Sequence, residues 1–229
     1  MNIRRFAVCL CFLFATEFVA MAAASADETL TMGVFAYRPD SVLQERYQPL
    51  TDYLSRETGI SVRLEVLNQE NMSRAIAANR LDFFLTNPSH FLLIRSERSL
   101  TGVLATLVRR SGQSSTGSLG GVIFTRAERD DIEQLADIRD KTIASPGVHF
   151  LGGYQTQVLE LMDAGIDIRR VNLIRFMGTH DRVVRSVLSG DADVGFIRTS
   201  ILEQMAQEDP DLFTKVKVLN RQRLAGFPY

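Results

Sequence analysis

Cysteine is scarce in this 229-residue sequence, and both cysteines, Cys9 and Cys11, lie near the N-terminus. If residues 1–26 are removed, no cysteine remains, which excludes a disulfide framework and a thiolate metal site. The formal net charge is only −1, so the sequence lacks the basic excess that is typical of nucleic-acid-binding proteins. The remaining chain must fold around an ordinary apolar core, and roughly 200 residues suffice for one.

Catalytic motifs are also missing. The sequence has no Ser-His-Asp order with a nucleophile elbow, no glycine-rich phosphate loop followed by lysine, and no metal-ligand spacing. His180 and Asp181 are a candidate acid–base pair, but adjacent residues of a helix point in different directions. We therefore expect no enzyme activity, no cofactor and no metal, with an enzyme that uses His180 as the alternative.

The first 26 residues are typical of a secretory signal peptide. Arg4 and Arg5 precede the apolar run Phe6–Ala15, and a small-residue stretch ends in Ala24-Ser25-Ala26. The apolar run is shorter than the roughly 20 residues that span a bilayer, which disfavours the alternative of an uncleaved anchor. We predict cleavage after residue 26 and export to the periplasm.

Apolar runs alternate with segments of helical period along the rest of the chain, which indicates a parallel βαβ architecture. The predicted strands are Thr29–Phe35, Ser61–Val66, Asp82–Leu85, Val122–Thr125, Thr142–Ser145, Leu173–Phe176 and Asp193–Ile197. The predicted helices are Gln48–Glu57, Met72–Ala78, Gly153–Ala164, Asp181–Leu188 and Ser200–Gln207. Gly59, Asn79, Gly165 and Gly190 follow helical runs and are expected to close them in the left-handed conformation.

A weak internal repeat predicts two similar lobes. Arg74–Ser89 and Arg185–Ser200 both show a helix, a capping residue, and then a strand beginning after an aspartate, Asp82 or Asp193, at an offset of 111 residues. Each strand is followed by polar residues at its carboxyl end, the edge where open α/β sheets bind ligands. That any two βα units look somewhat alike is the alternative explanation.

The lobe boundaries follow from composition. Residues 110–118 are the run richest in serine and glycine and are predicted to be a flexible crossover. A second crossover is predicted near residues 209–211, after which Val216–Leu219 would return as a strand to the first lobe. Lobe 1 is therefore expected to contain residues 27–110 and 212–229, and lobe 2 residues 111–211.

Five ordered stretches carry a family resemblance: Thr86–Phe91, Leu135–Thr142, Phe150–Tyr154, Gly178–Asp181 and Asp193–Thr199. In this order they resemble the phosphonate-type periplasmic substrate-binding proteins, especially the branch that serves as the sensor domain of tetrathionate-sensing histidine kinases. The resemblance implies an α/β, two-lobed periplasmic binding protein fold of type II, with a mostly parallel, helix-flanked sheet in each lobe.

Two departures from the family pattern limit what the resemblance implies. Phosphonate binders usually carry hydroxyl residues at the start of a helix in the second lobe, where this chain has Val148–Leu151. This difference disfavours phosphonate and favours a sulfur oxyanion. Family members also continue beyond the region that ends at Tyr229 with a segment that completes the first lobe.

The predicted ligand-binding residues follow strands or begin helices in both lobes: Tyr37, Arg38, Thr86, Asn87, Ser89, Gly152, Gly153, Tyr154, His180, Arg198 and Thr199. A helix start at Gly152 and Gly153 offers N–H groups to an anion. The guanidinium of Arg198 is able to donate two parallel hydrogen bonds to two oxygens of an oxyanion. For several of these residues, a helix cap, an ordinary turn or a surface salt bridge is the alternative role.

The expected function is extracytoplasmic binding of a small oxyanion between the two lobes, followed by hinge closure. The expected partner is an ABC-transporter permease or the membrane and kinase modules of a histidine kinase, and no nucleic acid. The effector domain of a transcription regulator is another alternative, but the predicted signal peptide and the lack of a DNA-binding module argue against it.

Overall fold

Lobe 1 is built from three βα units that follow one another along the chain. The computed structural model describes residues 28–111, 114–168 and 173–220, so the predicted signal peptide lies outside the described residues. The elements of lobe 1 are β1 (Thr29–Phe35), α1 (Asp40–Thr58), β2 (Ser61–Leu67), α2 (Gln69–Ala77), β3 (Phe83–Leu85) and α3 (Pro88–Glu97). The three strands form a parallel sheet in the order β2-β1-β3.

Lobe 2 contains a mixed sheet of five strands. After the short strands β4 (Arg109–Ser111) and β5 (Ser114–Thr116), its elements are β6 (Gly121–Arg126), β7 (Thr142–Ser145), α4 (Gln155–Asp163), β8 (Leu173–Phe176), α5 (His180–Ser189), β9 (Val194–Arg198), α6 (Ile201–Met205), α7 (Leu212–Lys215) and β10 (Val216–Val218). The strand order is β10-β6-β9-β7-β8. Strand β6 is antiparallel to both of its neighbours, and the other two pairings are parallel.

Helix ends follow the predicted chemistry. Gly59, Asn79, Gly165 and Gly190 all have positive φ angles, between 51° and 85°, which confirms the four predicted helix-closing residues. Helices α2, α3 and α5 begin where an Asn or Thr side chain accepts a backbone N–H of the first turn.

The internal repeat is confirmed by matching hydrogen bonds. In lobe 1, the Asp82 N–H donates to the Thr31 carbonyl at 3.0 Å, and the Asp82 carboxylate accepts the Thr31 N–H at 2.7 Å. In lobe 2, Asp193 makes the same two bonds with Thr142, at 2.9 and 2.8 Å. The β1–β3 and β7–β9 registers are related by the same offset of 111 residues. The two aspartates therefore fasten neighbouring strands at the edge opposite the cleft.

Two predicted features of the lobe boundary need correction. Strand β10 does not return to lobe 1, because it pairs antiparallel with Phe124–Arg126 at the free edge of β6, and the Leu219 N–H extends this ladder to the Ile123 carbonyl. Residues 212–218 therefore belong to lobe 2, and residues 221–229 lie outside the described residues. The serine- and glycine-rich crossover contains a two-stranded antiparallel hairpin, β4-β5, rather than an entirely irregular linker.

The architecture is the predicted α/β fold with two sheets flanked by helices. One apolar core fills lobe 1, and two fill opposite faces of the lobe 2 sheet. Within the described ranges, no helix combines the length and the apolar character needed to cross a bilayer.

Candidate functional site

The predicted site residues lie where corresponding connections of the two lobes face each other. The connection from β1 to α1 carries Tyr37 and Arg38, and the connection from β3 to α3 carries Thr86. From lobe 2 come the turn between β7 and α4, the start of α5 and the carboxyl end of β9. The cleft is thus formed at the carboxyl ends of parallel strands of both sheets, as predicted from the repeat.

Five of the predicted residues form a cluster in the cleft. The Arg198 guanidinium carbon lies 4.7 Å from the centroid of the Tyr37 ring, so its cation faces the aromatic π-system of the other lobe. Gly152 abuts Arg198, since a Cβ placed on Gly152 would lie 2.9 Å from the Arg198 Cβ. A Cβ on Gly153 would lie 2.7 Å from His180 Cε1. Only glycine allows this close approach of the turn to both side chains.

Tyr37 joins the cluster to a polar group of lobe 1. Its hydroxyl lies 3.3 Å from the Tyr47 hydroxyl and accepts a hydrogen bond from Arg46 at 3.0 Å. Burial by itself raises the pKa of the Tyr37 hydroxyl, but Arg198, Tyr47 and Arg46 together outweigh burial and hold the pKa below its usual value. The cleft around Tyr37 therefore favours negative charge.

Buried hydrogen bonds fix the lobe 2 side of the cluster. The Gln157 amide donates to the carbonyls of Gly152 and Ile197, both at 2.9 Å, which ties the glycine turn to β9. The Thr199 hydroxyl accepts the Gly120 N–H at 3.2 Å, and the Thr199 N–H donates to the Gly120 carbonyl at 3.0 Å. Thr199 thus positions the end of β9.

Arg38 is engaged across the cleft. Its Nε and Nη2 donate to the two carboxylate oxygens of Asp181, at 2.9 and 2.7 Å, and both side chains are buried. The hydrogen bonds to Asp181 are the main reason that the pKa of Arg38 lies above its usual value. Both carboxylate oxygens of Asp181 thus accept hydrogen bonds from Arg38, a residue of the other lobe.

The lobe 1 residues that follow β3 surround a buried histidine. The two ring nitrogens of His90 lie 2.8 Å from the Thr86 hydroxyl and 2.9 Å from the Ser73 hydroxyl. Burial, aided by the nearby His149, lowers the pKa of His90 to about 4, so His90 is neutral at pH 7. The Thr86 hydroxyl is therefore used within lobe 1 to hold His90.

Asn87 has the capping role that was the alternative to ligand binding, and Ser89 lies in the same first turn of α3. The Asn87 carbonyl oxygen accepts the His90 N–H at 3.0 Å. The Asn87 Nδ2 atom is buried and has no hydrogen-bond partner among the described residues, so it remains available as a donor. Asn87 thus bonds to the backbone of His90, and Ser89 directly precedes His90 in the chain.

The structure separates Tyr154 from the cluster and adds two phenylalanines. The Tyr154 ring belongs to a lobe 2 core and packs edge-on against Phe176, with centroids 5.7 Å apart. Phe150 instead reaches across the cleft, 4.9 Å from Phe35 and 5.5 Å from His180 between ring centroids. Sequence reasoning did not single out Phe35 and considered Asp181 only beside His180, because the partners that the structure gives them lie in the other lobe.

The chemistry of the cleft is that of recognition. Buried guanidinium, imidazole, phenol and amide groups converge there, and groups of these kinds can pair with oxyanions through charge and hydrogen bonds. Among residues 28–111, 114–168 and 173–220, no group of three or more His, Cys, Asp or Glu side chains is placed to hold a metal ion. Two α/β lobes with such a cleft between them define a solute-binding protein.

Comparison with known proteins agrees with this class. Residues 32–228 match the family described as "ABC transporter, phosphonate, periplasmic substrate-binding protein", and the chain belongs to this family. It is therefore a ligand-binding domain of a family that is periplasmic and serves substrate binding. This confirms the resemblance that the sequence motifs indicated.

Two curated relatives extend the comparison. The tetrathionate sensor histidine kinase TtrS of Salmonella typhimurium is 27% identical over 182 residues, which cover 79% of this chain and 31% of the kinase. The phosphate-import protein PhnD of Mycolicibacterium smegmatis is 21% identical over 193 residues, which cover 81% of this chain and 60% of that protein. The chain thus spans less than two thirds of the length of either relative.

Solved structures confirm the type II binding-protein fold. The structure of PhnD1 from Prochlorococcus marinus in complex with methylphosphonate has a TM-score of 0.71 at 17% identity, covering 85% of this chain and 72% of that one. A binding-protein component of an ABC phosphonate transporter from Pseudomonas aeruginosa has a TM-score of 0.68 at 12% identity, covering 86% and 66%. At these identities the likeness establishes the fold alone.

Proposed function

We propose that the cleft binds a small oxyanion, and the observation that carries this proposal is the placement of Arg198. Its side chain is 4% exposed, lies against the Tyr37 ring, and adjoins Gly152 at the start of the turn that leads into α4. A guanidinium offers two parallel donors to an oxyanion. The predicted contribution of N–H groups at the helix start is not supported, because those of Gly153, Tyr154 and Gln155 donate to the Phe150 carbonyl. The Arg198 cation therefore pairs with ligand oxygens, and His180 and Asn87 supply further donors.

A sulfur oxyanion of the tetrathionate type suits this cleft better than phosphonate. Where phosphonate binders carry hydroxyl residues, the turn has Val148–Leu151, and Phe150 fills the space between Phe35 and His180. Aromatic walls favour a ligand with a polarisable sulfur chain over a compact, strongly hydrated anion. The similarity to the tetrathionate sensor supports the same ligand class, and phosphate or phosphonate is the alternative.

The biological setting follows from the family. We propose that residues 1–26 direct export and are removed, and that ligand binding draws the two lobes together in the periplasm. Closure then signals to a histidine kinase, as the relative with the higher identity favours, or delivers the ligand to an ABC-transporter permease. No catalytic step is part of this function.

Thermal unfolding with a panel of sulfur and phosphorus oxyanions tests the ligand class. A ligand at a hundred times its Kd stabilises the folded protein by about 2.7 kcal/mol, which gives a measurable rise in Tm. We expect a rise with tetrathionate or a related sulfur oxyanion. No rise with any oxyanion, in a sample that unfolds cooperatively, would contradict the proposed ligand class.

The Arg198→Gln variant tests the site within the same experiment. Loss of a buried charged partner should raise the Kd about a hundredfold, which is equivalent to a loss of about 2.7 kcal/mol of binding free energy. Arg185→Gln, on the exposed surface of α5, is the matched control and should bind as the unaltered protein does. Equal binding by a folded Arg198→Gln protein would remove Arg198 from the site.

A further inference from the structure

The Arg38–Asp181 pair joins the two lobes at the centre of the cleft. Arg38 belongs to the β1–α1 connection of lobe 1, and Asp181 lies in the first turn of α5 in lobe 2. Both guanidinium–carboxylate hydrogen bonds have good lengths, and the side chains are only 2% and 3% exposed. Separation of the lobes has to break this pair and return both ions to water.

Further contacts between the lobes surround the pair. The His180 N–H donates to the Tyr37 carbonyl at 3.2 Å, directly beside the two ions in sequence. The Arg46 guanidinium donates to the Gln204 side chain at 2.9 Å at the exposed rim. We call the arrangement in which these contacts are made the closed state.

The energetics of a buried pair make closure depend on both charges. Burial of one ion alone is strongly unfavourable, whereas a hydrogen-bonded pair compensates the loss of hydration of each partner. Glu208 lies 3.6 Å from Arg38 but is largely exposed, so water screens its contribution. Asp181 is therefore the carboxylate that permits Arg38 to be buried between the lobes.

We propose that Arg38 and Asp181 form an interlobe lock, a matched charge pair that stabilises the closed state, so that part of the unliganded protein is closed before a ligand shifts the rest. The lock requires no oxyanion, so it stands whether or not the proposed ligand class is right. Its consequence for binding is that a closed conformation populated in advance raises the apparent affinity for any ligand of that conformation. Asp181 is then a positioning residue that acts through Arg38.

Interlobe distances measured by pulsed electron spin resonance test the lock. Spin labels are attached to cysteines introduced at the exposed residues Glu57 of lobe 1 and Met162 of lobe 2. The protein as expressed is used without ligand, with Cys9 and Cys11 replaced by serine. We expect a short-distance population in the unliganded parent protein, and its replacement by a longer-distance population in the Asp181→Asn and Arg38→Gln variants, with the ratio of open to closed raised at least about tenfold.

Two further variants keep the test decisive. The double variant R38Q/D181N leaves no isolated buried charge, so its closed population should recover relative to either single variant. Arg74→Gln removes the exposed Arg74–Glu70 pair within α2 and should leave the distances unchanged. If folded Asp181→Asn protein gives the distance distribution of the parent protein, or if the unliganded parent has no short-distance population, the lock does not exist.

Discussion

The two lobes share one plan but differ in how completely they bury their sheets. The lobe 2 sheet packs an apolar core on each face, and its central strand β9 is buried along its whole length. Lobe 1 has a single core, and its strand β3 is only partly buried. Apolar side chains at the C-terminal side of lobe 1 are solvent-exposed, among them Leu104 at 85%.

This difference indicates where each lobe obtains its stability. Lobe 2 rests on two apolar cores, which changes in pH do not affect directly. Lobe 1 has less apolar burial and includes the buried polar group of Ser73, Thr86 and His90, whose hydrogen bonds depend on a neutral imidazole. We therefore expect acid to destabilise lobe 1 more than lobe 2, and substitutions that add volume to the core to destabilise lobe 2 more than lobe 1.

The largest expected effect is a selective loss of lobe 1 stability in mild acid. The pKa of His90 is about 4 in the folded protein and about 6.5 when unfolded, so the unfolded state binds more protons between these values. The contribution of His90 is complete above pH 6.5 and is lost as the pH falls toward 4, by at most about 3 kcal/mol. Hydrogen exchange at pH 7 and pH 5 should show faster opening of β1 while β9 stays protected.

The His90→Gln variant is the control for this acid effect. Glutamine keeps a donor and an acceptor near Ser73 and Thr86 but does not titrate, so the difference between pH 7 and pH 5 should shrink. Equal acid sensitivity of β1 in the variant and in the parent protein would assign the effect to other groups.

A larger side chain in a strand should destabilise lobe 2 more than lobe 1, which is the reverse of the acid effect. A Cβ at Gly195 in β9 would lie 2.2 Å from Cε1 of the fully buried Phe124 ring, so Gly195→Ala must displace a rigid core and should cost roughly 2 kcal/mol. A Cβ at Gly33 in β1 meets the tip of the flexible, half-buried Leu81 at 2.5 Å, and Gly33→Ala should cost less than about 1 kcal/mol. Denaturant unfolding of both variants measures the difference, and equal losses would refute it.

Much of the fold was predictable because local patterns determine it. The predicted bounds of β1, β7 and β8 are confirmed, as is the repeat that pairs Asp82 with Asp193. Helix α3 was missed because its apolar residues do not follow one face. Strand β10 was assigned to the wrong lobe because the choice of sheet edge depends on which edge is free, and short sequence patterns do not encode that.

The site was predictable in its location but not in its pairings. Polar residues after strands and glycines before a helix indicated the cleft edge, and the structure brings Tyr37, Gly152, Gly153, His180 and Arg198 together there. No sequence signal assigned Asp181 to Arg38, because the two residues are separated by 143 positions and meet only when the lobes are in contact. Their roles toward a ligand remain predictions that the experiments above test.

The smallest expected difference concerns the two equivalent aspartates. Asp193 accepts the Thr142 N–H and also pairs with Arg129, whereas Asp82 is exposed and accepts the Thr31 N–H. Burial by itself raises the pKa of Asp193, but the bonds with Arg129 and Thr142 outweigh it and hold the pKa below its usual value. Asparagine retains the acceptor oxygen at either position and removes the charge, so Asp193→Asn should cost about 1 kcal/mol more than Asp82→Asn. Urea unfolding at pH 7 measures this difference, which should shrink as the pH falls below about 4, the usual pKa of aspartate, toward the lower pKa of folded Asp193. Equal losses at pH 7 would mean that the repeat is equivalent in energy as well as in geometry, and that Arg129 adds nothing to lobe 2.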